Sequence, residues 1–186
     1  KERNFLIKYC EKIIFNSQWS KNRFLKDLEN IYHKSYKLEV IHQSINKTPV
    51  DLQKKQKLIT FVGKLNLAKG YDLFGGAIIK ILNKHKKWKA AVIGDEPREK
   101  LSFKHKNLKI LGFQEHSKVL NIFKKTSIAV ACSRWDEPFG RTSLEASSRG
   151  CAVIISNRGG LPETITNGII IRNLNEKNFF GLWPLQ

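Results

Sequence analysis

From residue 58 onward, short apolar runs of strand length alternate with stretches in which apolar residues recur at helical spacing. The predicted strands are residues 58–62, 89–93, 108–111, 128–131, 152–155 and 169–171. The predicted helices between them are residues 71–85, 117–125 and 141–149. Because such alternation is typical of a parallel sheet covered by helices, it predicts an α/β fold: a Rossmann-like parallel sheet with helices on both faces.

The chain before residue 58 has a different pattern. Residues 9–14 indicate the end of a helix running into a strand over residues 12–17, and a basic helix is predicted from Gln18 to about Leu28. A further strand is predicted over residues 37–45, and the polar residues 48–57 are typical of a linker. The predicted division is therefore 1–36 as the C-terminal end of another domain, 37–57 as an interdomain strand and linker, and 58–186 as the Rossmann-like domain.

The chain is strongly basic, with 34 lysine and arginine residues against 16 aspartate and glutamate residues and a net charge of +18 at pH 7. Such a charge suits nucleic acid, an anionic membrane surface or phosphorylated ligands. The lysines are spread over every segment, and the chain is also rich in Asn and Ile, as a codon bias toward A and T would make it. Two interpretations stay open: a scattered, solvated charge, or a site for an anionic substrate or membrane.

Other features of the composition argue against several classes of protein. No apolar run approaches the roughly 20 residues of a membrane span. Cys10, Cys132 and Cys151 lie far apart, and the five histidines never fall at ligand spacing, so we predict no disulfide framework and no metal site. A reducing cytoplasm is the expected location. The chain starts with Lys1 and has no methionine, so we expect a fragment without its natural N-terminus, although replaced methionines would look the same.

The loop and helix after the fourth predicted strand hold two carboxylates, Glu137 and Glu145, eight positions apart. Pro138 and Gly140 predict a turn, and a helix is predicted to begin at Arg141. The first N–H groups of a helix have no partner within it and the helix dipole is positive there, so this junction predicts a phosphate site with Glu145 near a sugar hydroxyl. Two glutamates at this spacing are common by chance, and the spacing alone leaves a structural role open.

Loops after the other predicted strands matter because ligands of open parallel sheets bind outside the carboxyl ends of the strands. Residues 63–70 place two lysines in a glycine-bounded turn, which is either a diphosphate clamp or a plain surface loop; they form neither a P-loop nor a G-x-G-x-x-G motif. Residues 94–97 and 112–114 lie near a nucleotide base or simply turn the chain, and we favour a turn for the first of these. Residues 158–163 precede or begin a predicted helix with Pro162 near its start.

Taken together, these motifs resemble one family. The residues that carry the resemblance are Gly63-Lys64 with Lys69-Gly70, Glu137-Pro138-Phe139-Gly140 with Glu145-Ala146, Gly150, Val153-Ile154, and Gly159-Gly160 with Pro162-Glu163. Over residues 37–173 the chain is similar to the C-terminal, donor-binding half of retaining glycosyltransferases of the GT-B fold, the group 1 or family four enzymes.

The resemblance implies a role for each matching residue. It implies that Glu137 is the catalytic residue beside the donor sugar, where we favour a positioning and electrostatic role, and that Glu145 holds the nucleotide ribose. Lys64 and Lys69 match the residues that grip the diphosphate; the first is often arginine in the family, whose bidentate contact a lysine cannot make. The implied donor-binding residues are Gly63, Lys64, Lys69, Phe139, Gly140, Arg141, Thr142 and Glu145.

The resemblance also implies the reaction, the transfer of a sugar from a nucleotide diphosphate to a glycan or lipid-linked acceptor with retention, in surface polysaccharide or lipopolysaccharide synthesis. Two lysines and a helix start can neutralise the leaving group, so we expect no metal and no other cofactor, which fits the lack of an Asp-x-Asp pair. We expect a cytoplasmic protein with peripheral contact to an anionic inner membrane and no specific nucleic-acid partner. Since the acceptor-binding half would be missing, the isolated chain is expected to bind the donor but to transfer it poorly or not at all.

Two alternatives from other classes stay open. One is a basic polyanion-binding or membrane-binding module on a Rossmann scaffold, which predicts salt-dependent binding without nucleotide preference. The other is a sugar-nucleotide epimerase of the same fold, or a phosphorylase that would need a pyridoxal lysine. The pair formed by Glu137 and Glu145 favours the transferase.

Overall fold

The structure is a computed structural model that describes residues 2–28, 36–46, 48–175 and 181. Its helices are α1 (Glu2–Tyr9), α2 (Gln18–Leu25), α3 (Tyr71–Lys84), α4 (His116–Lys125) and α5 (Arg141–Ser147). Its strands are β1 (Ile13–Phe15), β2 (Leu38–Val40), β3 (Gln56–Val62), β4 (Lys89–Ile93), β5 (Leu108–Ile110), β6 (Thr126–Ala131), β7 (Ala152–Ser156) and β8 (Ile169–Ile171). Single 3₁₀ turns lie at Leu52–Lys54 and Leu161–Thr164.

Six strands form one parallel sheet in the order β5-β4-β3-β6-β7-β8. This confirms the predicted parallel sheet, and all six predicted strands and three predicted helices lie within two residues of their predicted ends. The helix predicted near Pro162 was wrong, since only a 3₁₀ turn forms there. The β-branched Ile165 and Thr166 and the nearby Gly168 follow it, and such residues do not favour helix propagation.

Helices cover both faces of this sheet, as the alternation along the strands predicts. Ile128 and Val130 of β6 pack into the cluster that contains the apolar side of α3, whereas Ala129 between them packs into the cluster formed with α4 and α5. Successive side chains of a strand point to opposite faces, so β6 contributes to two cores. The result is a three-layer arrangement with the sheet in the middle.

The N-terminal part of the chain forms a separate two-stranded parallel sheet of β1 and β2. Three predicted elements of this part of the chain were too long, and the strand predicted over 12–17 is only Ile13–Phe15. The strand predicted over 37–45 is only Leu38–Val40, because its partner β1 has three residues and the last ladder bond runs from Ile41 N–H to the carbonyl of Phe15 at 2.9 Å. Helix α2 ends at Leu25 instead of Leu28, since Asp27 adopts a left-handed φ of 61°.

The predicted domain limits at residues 36 and 57 stay a prediction, and residues 1, 29–35, 47, 176–180 and 182–186 lie outside the described residues. Strand β3 begins at Gln56 and so includes the last two residues of the predicted linker, and the rest of that linker includes the 3₁₀ turn at Leu52–Lys54. Over the described part of the chain, no helix combines the length and apolar character that crossing a membrane would require.

Two side-chain clusters attach the N-terminal segment to the six-stranded domain. The Ser17 and Ser20 hydroxyls both donate to the carbonyl of Pro138, at 2.5 and 3.0 Å. The Glu163 carboxylate accepts the N–H groups of Gln18 and Trp19 at 2.6 and 2.8 Å, and it contacts His42 Nε2 at 3.0 Å. Glu163 therefore caps the start of α2 and holds the segment next to the Pro138 loop.

Replacing the capping carboxylate should loosen this attachment. In Glu163→Ala, the Gln18 and Trp19 amides lose their acceptor, and we expect the free energy of unfolding to fall by about 1–2 kcal/mol. Urea denaturation measures the total change, and amide hydrogen exchange should show faster exchange at Gln18 and Trp19. Glu11→Ala, at an exposed glutamate of the same segment, is the matched control. Unchanged exchange at both amides would contradict the capping role.

Candidate active site

The loop of residues 63–70 leaves the carboxyl end of β3 and packs against the end of β6. Gly70 has a left-handed φ of 72°, and a Cβ built on it would lie 2.1 Å from the carbonyl oxygen of Cys132. No other residue fits at this contact without backbone movement. The glycine at the end of this loop therefore allows α3 to begin directly against β6.

A second loop, residues 132–140, leaves the end of β6 and is fastened to the first. Arg134 and Trp135 donate their backbone N–H groups to the carbonyl of Ala68, at 2.8 and 3.0 Å. The Arg134 guanidinium also binds Asp72 in a bidentate pair, with Nη1–Oδ1 and Nη2–Oδ2 distances of 2.5 and 2.6 Å. The two loops thus form one unit at the carboxyl edge of the sheet.

An ion pair joins the two loops across a cleft. The Lys69 ammonium donates to Glu137 Oε1, and the two side chains are 34% and 16% exposed. The backbone around Glu137 is held from behind by the glycine pair of the sequence motif: Gly160 N–H donates to the Glu137 carbonyl at 2.7 Å, and a Cβ on Gly159 would lie 2.1 Å from that oxygen. The predicted catalytic glutamate and one predicted diphosphate lysine are therefore in direct contact.

The cleft beside this ion pair has a volume of about 130 Å³. Six predicted site residues are among those that line it: Gly63, Lys69, Glu137, Gly140, Arg141 and Thr142. Ligand pockets usually have a volume of at least roughly 300 Å³, so this cleft is smaller than a typical ligand pocket. The ion pair between Lys69 and Glu137 spans the cleft. A nucleotide sugar would have to displace their contact.

The start of α5 forms one wall of the cleft. Gly140 is the N-cap residue, with a φ of 102° and no side-chain cap. The Arg141 and Thr142 N–H groups have no acceptor within the helix, as at every helix start. Ser143 turns inward instead, donating to the Gly140 carbonyl at 2.7 Å and lying 2.6 Å from the Thr164 hydroxyl. Backbone donors, not a side chain, are thus presented at this wall.

Glu145 lies one turn further along α5, with its side chain only 8% exposed. Its Oε1 accepts from Arg141 Nε and lies against His116 Nε2, both at 2.9 Å. His116 was not among the predicted site residues. Its place in the first turn of α4 could have indicated it, because it lies two residues after the 112–114 loop, for which a position near a nucleotide base was one of two predicted alternatives.

Three predicted donor-binding residues do not line the cleft: Glu145, described above, Lys64 and Phe139. Lys64 is exposed on the loop next to Gly63, without an ion pair among the described residues. Phe139 is 3% exposed and stacks on His42, with ring centroids 5.7 Å apart. Phe139 therefore packs between the N-terminal segment and the loop in this structure, and its contact with a donor stays a prediction.

The loop of residues 94–99 supports the lysine loop from the side of β4. Glu99 N–H donates to the Glu96 carbonyl at 3.2 Å, which makes the turn favoured by the sequence analysis. The Glu96 carboxylate is buried between Asn66 and Arg98, and hydrogen bonds from the Arg98 guanidinium hold the pKa of Glu96 at about 2. Glu96 is thus ionised at neutral pH and acts as a support for Asn66, away from the cleft.

Cys132 is the one thiol along the cleft among the described residues, and its chemistry is limited by burial. It is fully buried, and burial raises its pKa to about 12. A thiol with such a pKa is protonated at neutral pH and is a poor nucleophile. Within the described residues no group of three His, Cys, Asp or Glu side chains is placed to hold a metal ion, and the predicted independence from metal stays a prediction.

Comparisons with known proteins show the family and the fold of this chain. A family model described as "Glycosyl transferases group 1" matches residues 43–178. A lipopolysaccharide core biosynthesis mannosyltransferase of Rhizobium leguminosarum bv. viciae is 32% identical over 121 residues, which are 60% of this chain and 34% of the relative. The chain thus spans about a third of the length of the curated relatives that it matches.

Solved structures show the same architecture. The crystal structure of Anabaena HepE in complex with UDP and glucose superposes with a TM-score of 0.76 at 16% identity, covering 97% of this chain and 55% of that one. At this identity the likeness shows the fold alone. The C-terminal domain of a glycosyl transferase group 1 family protein, LpcC, from Francisella tularensis has a TM-score of 0.59 at 27% identity, covering 69% of this chain and 74% of that domain.

The bidentate pair between Arg134 and Asp72 gives a test of how the two loops are held. Burial opposes ionisation of Asp72, but the Arg134 guanidinium outweighs it and lowers the pKa of Asp72 from its ordinary value of 3.8. The pair therefore stabilises the fold above pH 3.8, and this contribution is lost as the pH falls through the lower folded value.

We expect Asp72→Asn to lower the free energy of unfolding by about 1 kcal/mol at pH 7, with a difference that shrinks toward zero in acid. Urea denaturation of both chains between pH 7 and pH 3 measures it. A difference that stays constant over this range would show that the charge of Asp72 does not act through Arg134.

Proposed function

The chain belongs to the group 1 glycosyltransferases, and we propose that it is the C-terminal, donor-binding part of an enzyme that transfers a sugar from a nucleotide diphosphate with retention of configuration. The observation that carries this proposal is the convergence of Lys69, Glu137 and the start of α5 on one cleft at the carboxyl edge of the sheet. In open parallel sheets this edge is where ligands bind.

The diphosphate of the donor would lie between Lys69 and the first N–H groups of α5. A lysine ammonium and the positive end of a helix both stabilise phosphate charge. Lys64, exposed on the same loop, would add a second ammonium once the ligand is bound. These groups act on the leaving group, so that charge developing on the diphosphate in the transition state is neutralised without a metal.

The contact between Lys69 and Glu137 suggests how the site changes when the donor enters. A diphosphate carries more negative charge than one carboxylate, so we expect it to take the Lys69 ammonium from Glu137. The Glu137 carboxylate would then face the sugar ring, where it can position a hydroxyl and stabilise positive charge at the anomeric carbon. We propose this positioning and electrostatic role for Glu137.

The reaction balances with the acceptor as the only other substrate. The bond between the anomeric carbon and the diphosphate oxygen breaks, and its electron pair leaves on the nucleoside diphosphate. The acceptor hydroxyl oxygen forms the new bond to the anomeric carbon on the same face, and its proton passes to an oxygen of the departing diphosphate. A saccharide or a lipid-linked glycan is the acceptor that we propose.

Glu145 would bind the ribose. Arg141 and His116 both contact Oε1, and among the described residues no contact falls on Oε2. A buried carboxylate whose position is fixed by two donors is a strong acceptor for a sugar hydroxyl, because such hydrogen bonds are charge-assisted. His116, next to the 112–114 loop, would also place the base of the nucleotide on this side of the cleft.

The biological setting is proposed from the relatives. The Rhizobium leguminosarum relative is named as a lipopolysaccharide core mannosyltransferase, and a structural neighbour, WaaB, as a lipopolysaccharide outer core galactosyltransferase. We propose surface polysaccharide or lipopolysaccharide synthesis, on the cytoplasmic side of an anionic membrane with peripheral contact and without a nucleic-acid partner. The net charge of +18 suits such a surface.

Isothermal titration with UDP, GDP, ADP and pyrophosphate tests the donor site. We expect one nucleoside diphosphate to bind more tightly than pyrophosphate. Lys69→Ala should weaken both that nucleotide and pyrophosphate by about tenfold, whereas Glu145→Ala should weaken only the nucleotide, because pyrophosphate has no ribose. Glu11→Ala is the control. Salt-dependent binding of every polyanion with no nucleotide preference would instead favour the polyanion-binding module.

A second prediction follows from the ion pair. In Glu137→Gln the Lys69 ammonium loses its competitor for the diphosphate, so nucleotide binding should be as tight as in the unchanged chain or tighter. Asp136→Asn is the matched control, because it removes one negative charge at the adjacent, exposed position without freeing Lys69. Titration measures both variants. Weaker nucleotide binding in Glu137→Gln, as in Lys69→Ala, would contradict the proposed exchange.

A further inference from the structure

A second concave site lies at the opposite, amino edge of the sheet. We call it the basal groove; it has a volume of about 900 Å³ and is lined by Lys54, Lys55, Asn121, Lys124, Lys125 and Arg149, among others. These residues lie just before β3, β6 and β7 begin. At about 3.3 Å per residue, the length of β3 separates the groove from the donor cleft by roughly 20 Å.

The charged residues that line the basal groove are mainly basic. Five of its lining residues are basic and one, Asp51, is acidic. The single carboxylate is already engaged, with Lys54 Nζ 3.2 Å from Asp51 Oδ2. Lys124 and Lys125 are exposed, and within the described residues neither makes an ion pair or a side-chain hydrogen bond. Two adjacent ammonium groups therefore face the groove without a protein anion.

Lys55 fulfils the structural role that could otherwise explain the basic side chains of the groove. Basic residues at helix ends often serve the terminal carbonyl groups. Here the Lys55 ammonium donates to the carbonyls of Phe123, Thr126 and Arg149 at 2.9, 2.7 and 2.6 Å. Since Lys55 serves the ends of both α4 and α5, Lys124, Lys125 and the Arg149 guanidinium are left for another role.

Arg149 is the strongest indication of a ligand. It is only 7% exposed, and its Nη1 donates to the Ser148 hydroxyl at 2.8 Å, but its buried Nε has no hydrogen-bond partner. Among the described residues no carboxylate lies within ion-pair distance of this guanidinium. A buried charge without a counter-ion is strongly destabilising, so its presence at the wall of a basic groove indicates an anion as the absent partner.

We propose that the basal groove binds a phosphate-bearing anion, with Arg149 as its deep contact and Lys124 and Lys125 at its rim. Guanidinium and ammonium groups together are the usual protein ligands of phosphate, and the groove is within the size range of small-ligand sites. The phosphate is either that of a soluble phosphorylated molecule or that of a lipid headgroup. Helix α5 connects the two sites, since it begins at the donor cleft and Arg149 follows its end.

Titration with inorganic pyrophosphate tests the groove in a Lys69→Ala background, which weakens the donor cleft. Lys124→Ala/Lys125→Ala should lower pyrophosphate affinity by about tenfold. Lys86→Ala/Lys87→Ala is the matched control, because it removes an adjacent exposed lysine pair that follows α3 and lies outside the groove. We expect it to change the affinity less than about twofold. Equal losses in the two pairs, or no loss in the first, would overturn the proposal.

Two further measurements identify the anion's source and the role of Arg149. Cosedimentation is measured with phosphatidylcholine vesicles, with and without phosphatidylglycerol. If the groove binds a lipid headgroup, cosedimentation should depend on Lys124 and Lys125. If only the binding of pyrophosphate depends on these lysines, the ligand is a soluble phosphorylated molecule. In Arg149→Gln, made in the same Lys69→Ala background and shown to be folded by circular dichroism, pyrophosphate should no longer raise the melting temperature. A full pyrophosphate shift in folded Arg149→Gln would overturn the role of Arg149. None of these results depends on the donor cleft binding a nucleotide.

Discussion

The parallel pairing of β3 with β6 at the centre of the sheet is the constraint on which the candidate site depends. In register, Ile59, Thr60 and Phe61 of β3 lie beside Ile128, Ala129 and Val130 of β6, so both strands end at the same edge. The loops that follow them are far apart in sequence but meet in space, where the Ala68 carbonyl accepts two N–H groups from the other loop. Lys69 and Glu137 reach each other only because of this pairing.

Backbone and side-chain hydrogen bonds hold the loop around Glu137 in place, and this gives the residues of the motif a physical role. Gly160 fixes the carbonyl of Glu137, and the Ser17 and Ser20 hydroxyls fix that of Pro138. Glu163, which the sequence alone presents only as part of a family motif, caps α2 and so brings the N-terminal segment to this loop. The position of the Glu137 carboxylate thus depends on the N-terminal segment as well as on the sheet.

The sequence predicted those features that arise from local patterns. Strands and helices after residue 58 follow from periodicity and glycines, and the loops at the carboxyl edge follow from the strand order that such folds share. The length of β2 could not be predicted, because it is set by its three-residue partner β1. The role of His116 could not be predicted either, because its contact with Glu145 joins side chains more than twenty positions apart. The lack of a hydrogen-bond partner for Arg149 Nε could not be predicted, because the sequence does not show which side chains fail to meet.

We propose that Lys69 exchanges its partner when the donor binds, from the Glu137 carboxylate to the diphosphate. The most direct measurement is a crystal structure of the chain with the nucleoside diphosphate that binds best. The account predicts a diphosphate oxygen within hydrogen-bond distance of Lys69 Nζ, at the start of α5, with the ribose against Glu145 and the Lys69 contact with Glu137 broken. A nucleotide bound elsewhere, or bound in the cleft with Lys69 still on Glu137, would contradict it.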